Sequence, residues 1–160
     1  MSRALLVYAD IHTFNTSTYR ILIPAKYLTK AGHEVEVMSL EDLLKDNATD
    51  ETILIERVVF HELVETLRSM GCKLLVLTFD DGYRLIPTAT RSFEFWKGKE
   101  RGIEMWNAAR GMVDATIVPS HALAEDYNAQ LIPNYHDPDL WDFEMVSAPT
   151  GTVVIWWGGS

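Results

Sequence analysis

The residues whose types and spacing best suit chemistry are two adjacent aspartates, Asp80 and Asp81. They end the run Leu74-Leu75-Val76-Leu77-Thr78-Phe79-Asp80-Asp81-Gly82-Tyr83. A carboxylate can take a proton from a hydroxyl, pair with a guanidinium, or hold a hard cation through oxygen. An uncharged run with a β-branched centre reads as a strand buried on both faces. Such strands are central in parallel sheets, and open α/β sheets bind ligands beyond the carboxyl ends of their strands. Asp80 and Asp81 are therefore expected at a ligand-binding edge. The competing account is local. Asp and Gly favour turns for conformational reasons alone, and this applies most to Asp81, directly before Gly82.

Other strand ends should bring polar residues to the same edge. They are Asp10 with the loop from Thr13 to Tyr19 (Thr16 included), Arg20, Glu56 with Arg57, Tyr83, Ser120 with His121, and Asn134. Each also has a plain structural explanation. Arg20 can pair with Glu56 or Asp81, Glu56-Arg57 can be a satisfied strand terminus, and His121 can be a solvated helix-start residue. Parallel topology is what makes these termini converge on one rim. The loop after the first strand has no glycine, so no dinucleotide fingerprint is present. The five histidines, at 12, 33, 61, 121 and 136, show no His-x-x-x-His spacing, so no helical metal site is indicated.

The elements that must position these residues follow from periodicity. Ala4 to Ala9 predicts a buried strand. Tyr19 to Ala31 predicts a helix with Ile21, Ala25 and Leu28 on one face, stopped by Gly32. Pro24 either kinks that helix or stands in the first turn of its regular part. Glu34 to Met38 alternates as a strand. Leu40 to Lys45 reads as a short helix, and Thr52 to Glu56 as a third strand. A single helix over 50–70 is the alternative, but Ile53-Leu54-Ile55 favours the strand. Phe60, Leu63, Val64 and Leu67 mark an amphipathic helix closed by Gly71. The strand at 74–79 is the fourth. Residues 100–112 read as helix, with Ile103 and Trp106 in line with Ala109 or Arg110. Ala115 to Val118 is a fifth strand, Ser120 caps a helix to Tyr127, and 130–132 is a sixth strand. The alternation predicts a Rossmann-like doubly wound parallel sheet in three α/β/α layers. Residues 135–149 read as a linker, and Thr152 to Trp157 as one more strand before Gly158-Gly159-Ser160.

The totals exclude some partners. At 160 residues, 48% hydrophobic and 23% charged, the chain can build a globular core. A net charge of −9 argues against nucleic acid or an anionic membrane as the main partner. No apolar run reaches transmembrane length, and the N-terminal apolar stretch is too short for a signal peptide. The single Cys72 cannot form an internal disulfide, which fits a reducing, cytoplasmic setting.

Several segments resemble one family. Tyr19-Arg20-Ile21, Pro24-Ala25, Ala31-Gly32-His33, Glu56-Arg57, Phe79-Asp80-Asp81, Asp114-Ala115, Val118-Pro119-Ser120 and Ile132-Pro133-Asn134 look like the N-terminal half of GT-B glycosyltransferases, of the family 4-like group. The resemblance implies a Rossmann-like acceptor-side domain over 1–145. Residues 146–160 would then be the linker and first strand of a nucleotide-sugar-binding domain, since Ile155-Trp156-Trp157-Gly158-Gly159-Ser160 looks like its opening. It implies transfer of a sugar, of the hexosyl type, from a nucleotide-sugar co-substrate to a sugar or glycan hydroxyl, with no metal or further cofactor. The catalytic expectation falls on Asp80 and Asp81, facing an acceptor hydroxyl or the guanidinium groups of Arg20 and Arg57. The substrate-binding expectation falls on Asp10, Thr16, Tyr19, Arg20, Arg57, Tyr83, Ser120, His121 and Asn134. Phe93, Phe95 and Trp96 would offer a stacking surface. The chain alone, without the donor half, is expected to be inactive. The chain departs from the family in its first loop, Thr13-Phe14-Asn15-Thr16-Ser17, which lacks the usual glycines. A second resemblance is to metal-dependent polysaccharide deacetylases, carried by Thr78-Phe79-Asp80-Asp81-Gly82, but their later His-x-x-x-His segment is missing. A third class is a non-catalytic α/β binding module. A receiver domain would need an acidic pair after the first strand, where Asp10 stands alone.

Overall fold

A computed structural model describes residues 3–8, 16–45, 52–57, 59–82, 99–134 and 137–139, with backbone only at 99–102. Six strands form one parallel sheet: β1 Ala4–Tyr8, β2 Val35–Ser39, β3 Thr52–Glu56, β4 Leu74–Thr78, β5 Ala115–Val118 and β6 Gln130–Leu131. The helices between them are α1 Ile23–Lys30, α2 Leu40–Lys45, α3 His61–Ser69, α4 Lys99–Arg110 and α5 His121–Tyr127. The spatial order is β2-β1-β3-β4-β5-β6. The chain steps outward from β1 to β2, then crosses back to place β3 on the other side of β1. That reversal makes the carboxyl ends of β1 and β3 the topological switch point, where doubly wound sheets open a ligand crevice.

The period-2 alternation of the strands separates two cores. Leu5, Val7, Ile53, Ile55, Leu75 and Leu77 face one way, onto Leu63, Val64 and Leu67 of α3 and Trp106 and Ala109 of α4. Leu6 faces the other way, against Ile21 and Ala25, with Leu54, Val35 and Val37 beside it. Helices thus pack on both faces, as the alternating sequence requires. Phe79 is fully buried one residue beyond β4. Its ring meets Trp106 edge-on at 5.0 Å and 85°, and Tyr127 at 5.0 Å and 81°. Edge-to-face rings place the positive rim of one on the negative face of the other.

The element boundaries match the expected ones to within a residue or two. The strand reading of Thr52–Glu56 holds against the single long helix. Gly32 and Gly71 end α1 and α3 with φ of 88° and 97°, a region L-residues avoid. The Ser120 hydroxyl accepts from the Leu123 N–H at 3.3 Å and caps α5. Pro24 stands in the first turn of α1. Just before it, Thr18–Leu22 forms a wide π turn, in which the Ile23 N–H reaches the Thr18 carbonyl. Pro24 has no N–H for the Arg20 carbonyl, so the normal four-residue bond cannot form there.

Of the stretch expected as a linker, residues 137–139 are described, and there the chain is anchored on α1. Asp137 is buried and accepts from Lys26 Nζ at 2.6 Å and from the Tyr27 hydroxyl at 3.2 Å. Asp139 also accepts from Lys26, at 2.6 Å. The strand expected at 152–157, the aromatic residues Phe93, Phe95 and Trp96, and site candidates Asp10 and Tyr83 lie outside the described residues.

Phe79 is the hinge of the aromatic core, so Phe79→Ala should lower the unfolding free energy by about 3–5 kcal/mol. A shift of the urea midpoint with unchanged denaturant sensitivity checks this.

Candidate functional site

β3 ends at Glu56, and Arg57 turns the chain sharply. Its φ of 60° lies in the left-handed region, which costs a residue with a Cβ about 1–2 kcal/mol. The Arg57 N–H donates to the Thr78 carbonyl at 2.8 Å, so the β3–β4 ladder extends to the turn itself. The side chain then lies across the end of β4. Arg57 Nη2 donates to Asp80 Oδ1 at 3.1 Å, and Nε to the same oxygen at 3.4 Å. Nη2 also donates to Thr16 Oγ1 and stands 3.7 Å from Asp81 Oδ2. The ends of β3 and β4 and the segment after β1 thus meet in one cluster: Thr16, Arg57, Asp80 and Asp81.

The two carboxylates are not equivalent. Asp80 is 23% exposed and bonded to Arg57, whereas Asp81 is 58% exposed. Burial beneath the carboxyl raises the Asp81 pKa, the Asp80 charge raises it further, and Arg57 opposes both without cancelling them. Asp81 is thus the carboxylate turned to solvent, and its basicity is raised above the ordinary value. That combination suits a group that receives a proton from a bound hydroxyl.

A second cluster lies directly beneath. Arg20, in the π turn, is only 5% exposed. Its Nε donates to Thr78 Oγ1 at 2.7 Å, Nη1 to the Ile132 carbonyl at 2.9 Å and to Asn134 Oδ1 at 3.1 Å, and Nη2 to the Ile117 carbonyl at 3.2 Å. Burial lowers its pKa, against the raising influence of Asp80 and then Glu56. An arginine starting so high stays charged even so. The pairing with Glu56 or Asp81 expected from sequence is not the one it makes; Thr78, Ile117, Ile132 and Asn134 take those donors instead. Its donors are turned onto protein groups. Ser17 and Glu56, both buried, form a neighbouring pair in which the Ser17 hydroxyl donates to Glu56 Oε2.

The remaining candidates are spread along the rim. Tyr19 is half-buried and lines an apolar hollow of about 580 Å³ between α1 and the sheet, together with Arg20, Tyr27, Thr78 and Ile132. Asn134 joins the Arg20 cluster. Ser120 is engaged in capping α5, and His121 is exposed on its first turn. The sequence had marked Trp106 only as an apolar helix position and had not singled out the Ser17–Glu56 pair. Trp106 Nε1 donates to the Arg57 carbonyl at 3.1 Å. The signal available was weak: tryptophan inside a core needs a partner for its N–H. Among the described residues no three His, Cys, Asp or Glu side chains group as metal ligands, and no helix there is long and apolar enough to cross a membrane. Comparison with protein-family models, curated proteins and solved structures found no significant match.

The left-handed turn and the raised Asp81 pKa each make a measurable prediction. Arg57→Gly should be more stable than Arg57→Ala by about 1 kcal/mol, because only glycine takes φ of 60° without strain. Chemical denaturation of the two variants measures the difference. For Asp81 the folded pKa is above its ordinary 3.8. Its contribution to stability is therefore full below that value and declines as pH rises through the folded pKa. Asp81→Asn should match the parent protein in stability near pH 3 and exceed it at pH 7. Equal pH–stability curves would contradict the assignment.

Proposed function

We propose that this domain is the acceptor-side half of a GT-B glycosyltransferase, working with a second Rossmann-like domain that carries the nucleotide-sugar. The observation that supports this best is the inequivalent carboxylate pair at the switch-point rim, with Asp80 held by Arg57 and Asp81 turned to solvent. In this reading an acceptor hydroxyl hydrogen-bonds to Asp81. Its oxygen attacks the anomeric carbon of the donor, the bond to the phosphate oxygen breaks, and the hydroxyl proton passes to the carboxylate. The nucleoside diphosphate leaves with the bonding pair. Arg57 and Thr16 keep the carboxylates oriented, and Tyr19, lining the apolar hollow beside Thr78, would take part of the acceptor. Holding the hydroxyl in line contributes through proximity, and the raised basicity of Asp81 contributes through general-base catalysis.

The deacetylase reading comes second. It needs a divalent cation on one of the aspartates, and the Arg57 guanidinium within 3.1 Å of Asp80 and 3.7 Å of Asp81 repels one. A non-catalytic carbohydrate-binding role would use the same rim without the proton transfer.

The test is transfer from a panel of nucleotide-sugars to glycan acceptors by the protein carrying both domains. Asp81→Asn should lower kcat by about 10²–10⁴-fold with little change in KM for the donor. One tightly held zinc per chain, with deacetylation of an N-acetylated sugar polymer lost in Asp80→Asn, would replace the transferase reading with the deacetylase.

A further inference from the structure

Trp106 lies on α4, 49 residues along the chain from the arginine turn, yet its indole N–H bonds to that turn's carbonyl. It is 3% exposed, and its ring is held edge-on by Phe79 at 5.0 Å and by Tyr127 at 5.8 Å. Packing of this kind leaves the ring little rotational freedom, so the N–H points in one direction. The backbone of Arg57 is held on both sides, through the peptide before it and the peptide after it. Its N–H is bonded to the Thr78 carbonyl at 2.8 Å, and its C=O receives the Trp106 N–H at 3.1 Å. Between these two bonds sits the residue with φ of 60°. A strained backbone conformation persists only where its surroundings over-determine it, and strain of this kind concentrates at functional sites.

From this geometry we infer that Trp106 is a positioning residue. Its Nε1–H locks Arg57 in the left-handed conformation and so aims the guanidinium at Asp80, Asp81 and Thr16. Without the lock the peptide relaxes toward a common conformation, and the side chain leaves the line to Asp80. The rigid aromatic core of Phe79, Trp106 and Tyr127 thereby sets the electrostatics of the rim. Only the catalytic consequence rests on the transferase reading. The lock itself acts within this chain whatever reaction the rim serves.

The test needs no substrate. Trp106→Phe keeps an aromatic ring against Phe79 and Tyr127 but removes the donor. The titration of the Asp81 side chain, followed by carboxyl carbon NMR in the 160-residue chain, is the readout. The groups facing it are Arg57 and Asp80. With Arg57 withdrawn, the Asp81 midpoint should move upward, because the guanidinium is what holds it down. Arg57→Gly should move it in the same direction, and adding Trp106→Phe to Arg57→Gly should produce no further shift. A merely structural tryptophan would lower stability and leave the midpoint of the folded protein where it was. That outcome, or an additive shift in the double variant, overturns the inference. If Trp106→Phe does not fold, hydrogen exchange of the Trp106 indole N–H in the unaltered protein decides. Slow exchange is expected, and exchange at the rate of a free indole overturns the lock. An Asp81 midpoint that moves as described, in a protein that transfers no sugar, leaves the lock standing and removes only the transferase reading.

Discussion

A buried guanidinium is the constraint on which the carboxyl edge of the sheet depends. Arg20 brings a positive charge into the interior, where desolvation is costly unless every donor is met. Its donors are met by a side chain on β4, a carbonyl on β5, a carbonyl just past β6, and the amide of Asn134. Three separate parts of the chain, at β4, β5 and the stretch after β6, must therefore come to the turn that carries Arg20. The π turn that carries Arg20 follows from Pro24 at the start of α1. Truncating Arg20 would leave several polar groups without their charged donor, which is why a tie of this kind is far harder to lose than a surface ion pair.

The arginine below makes the arginine above usable. Arg20 is directed inward, and the acidic rim is left to Arg57. Arg57 is part-exposed and bonded to one carboxylate while standing near the other. One guanidinium stands beside two carboxylates, 3.1 Å from Asp80 and 3.7 Å from Asp81. Burial and the like charge of Asp80 raise the Asp81 pKa. The two carboxylates differ in setting, one bonded to Arg57 and one turned to solvent, and that difference comes from the geometry of one turn.

The order of the strands explains why the cluster forms between β3, β4 and the segment after β1. The order in which the chain adds strands reverses at the β1–β3 boundary, so the connections leave on opposite faces and a crevice opens between them. Thr16 reaches the crevice from the β1 side, Arg57 from β3, and Asp80 from β4. At the far end of the sheet, Asp114 supports the frame. It accepts from the Leu75 N–H at 2.7 Å and from Arg68 at 2.7 Å, joining the amino ends of β4 and β5 to the carboxyl end of α3.

The sequence by itself determined the elements, because strand and helix periods are local. The largely β-branched run at Ile53–Ile55, the 3.6-residue spacing of Leu63, Val64 and Leu67, the stops at Gly32 and Gly71 and the cap at Ser120 each depend on a few adjacent residues. It also placed Asp80, Asp81, Arg57 and Arg20 on one edge, because parallel strands all end there. Partner choice was decided only by tertiary structure. Arg20 had Glu56 or Asp81 as its expected partners, yet it bonds to Thr78, 58 residues away, and to Asn134, 114 away. Nothing in Trp106 as one apolar position of a helix announced a bond to the Arg57 carbonyl. The left-handed φ at Arg57 was equally hidden, since arginine has no preference for that region. Such contacts depend on depth and on the distance between groups far apart in the chain. Those quantities exist only once the sheet is assembled.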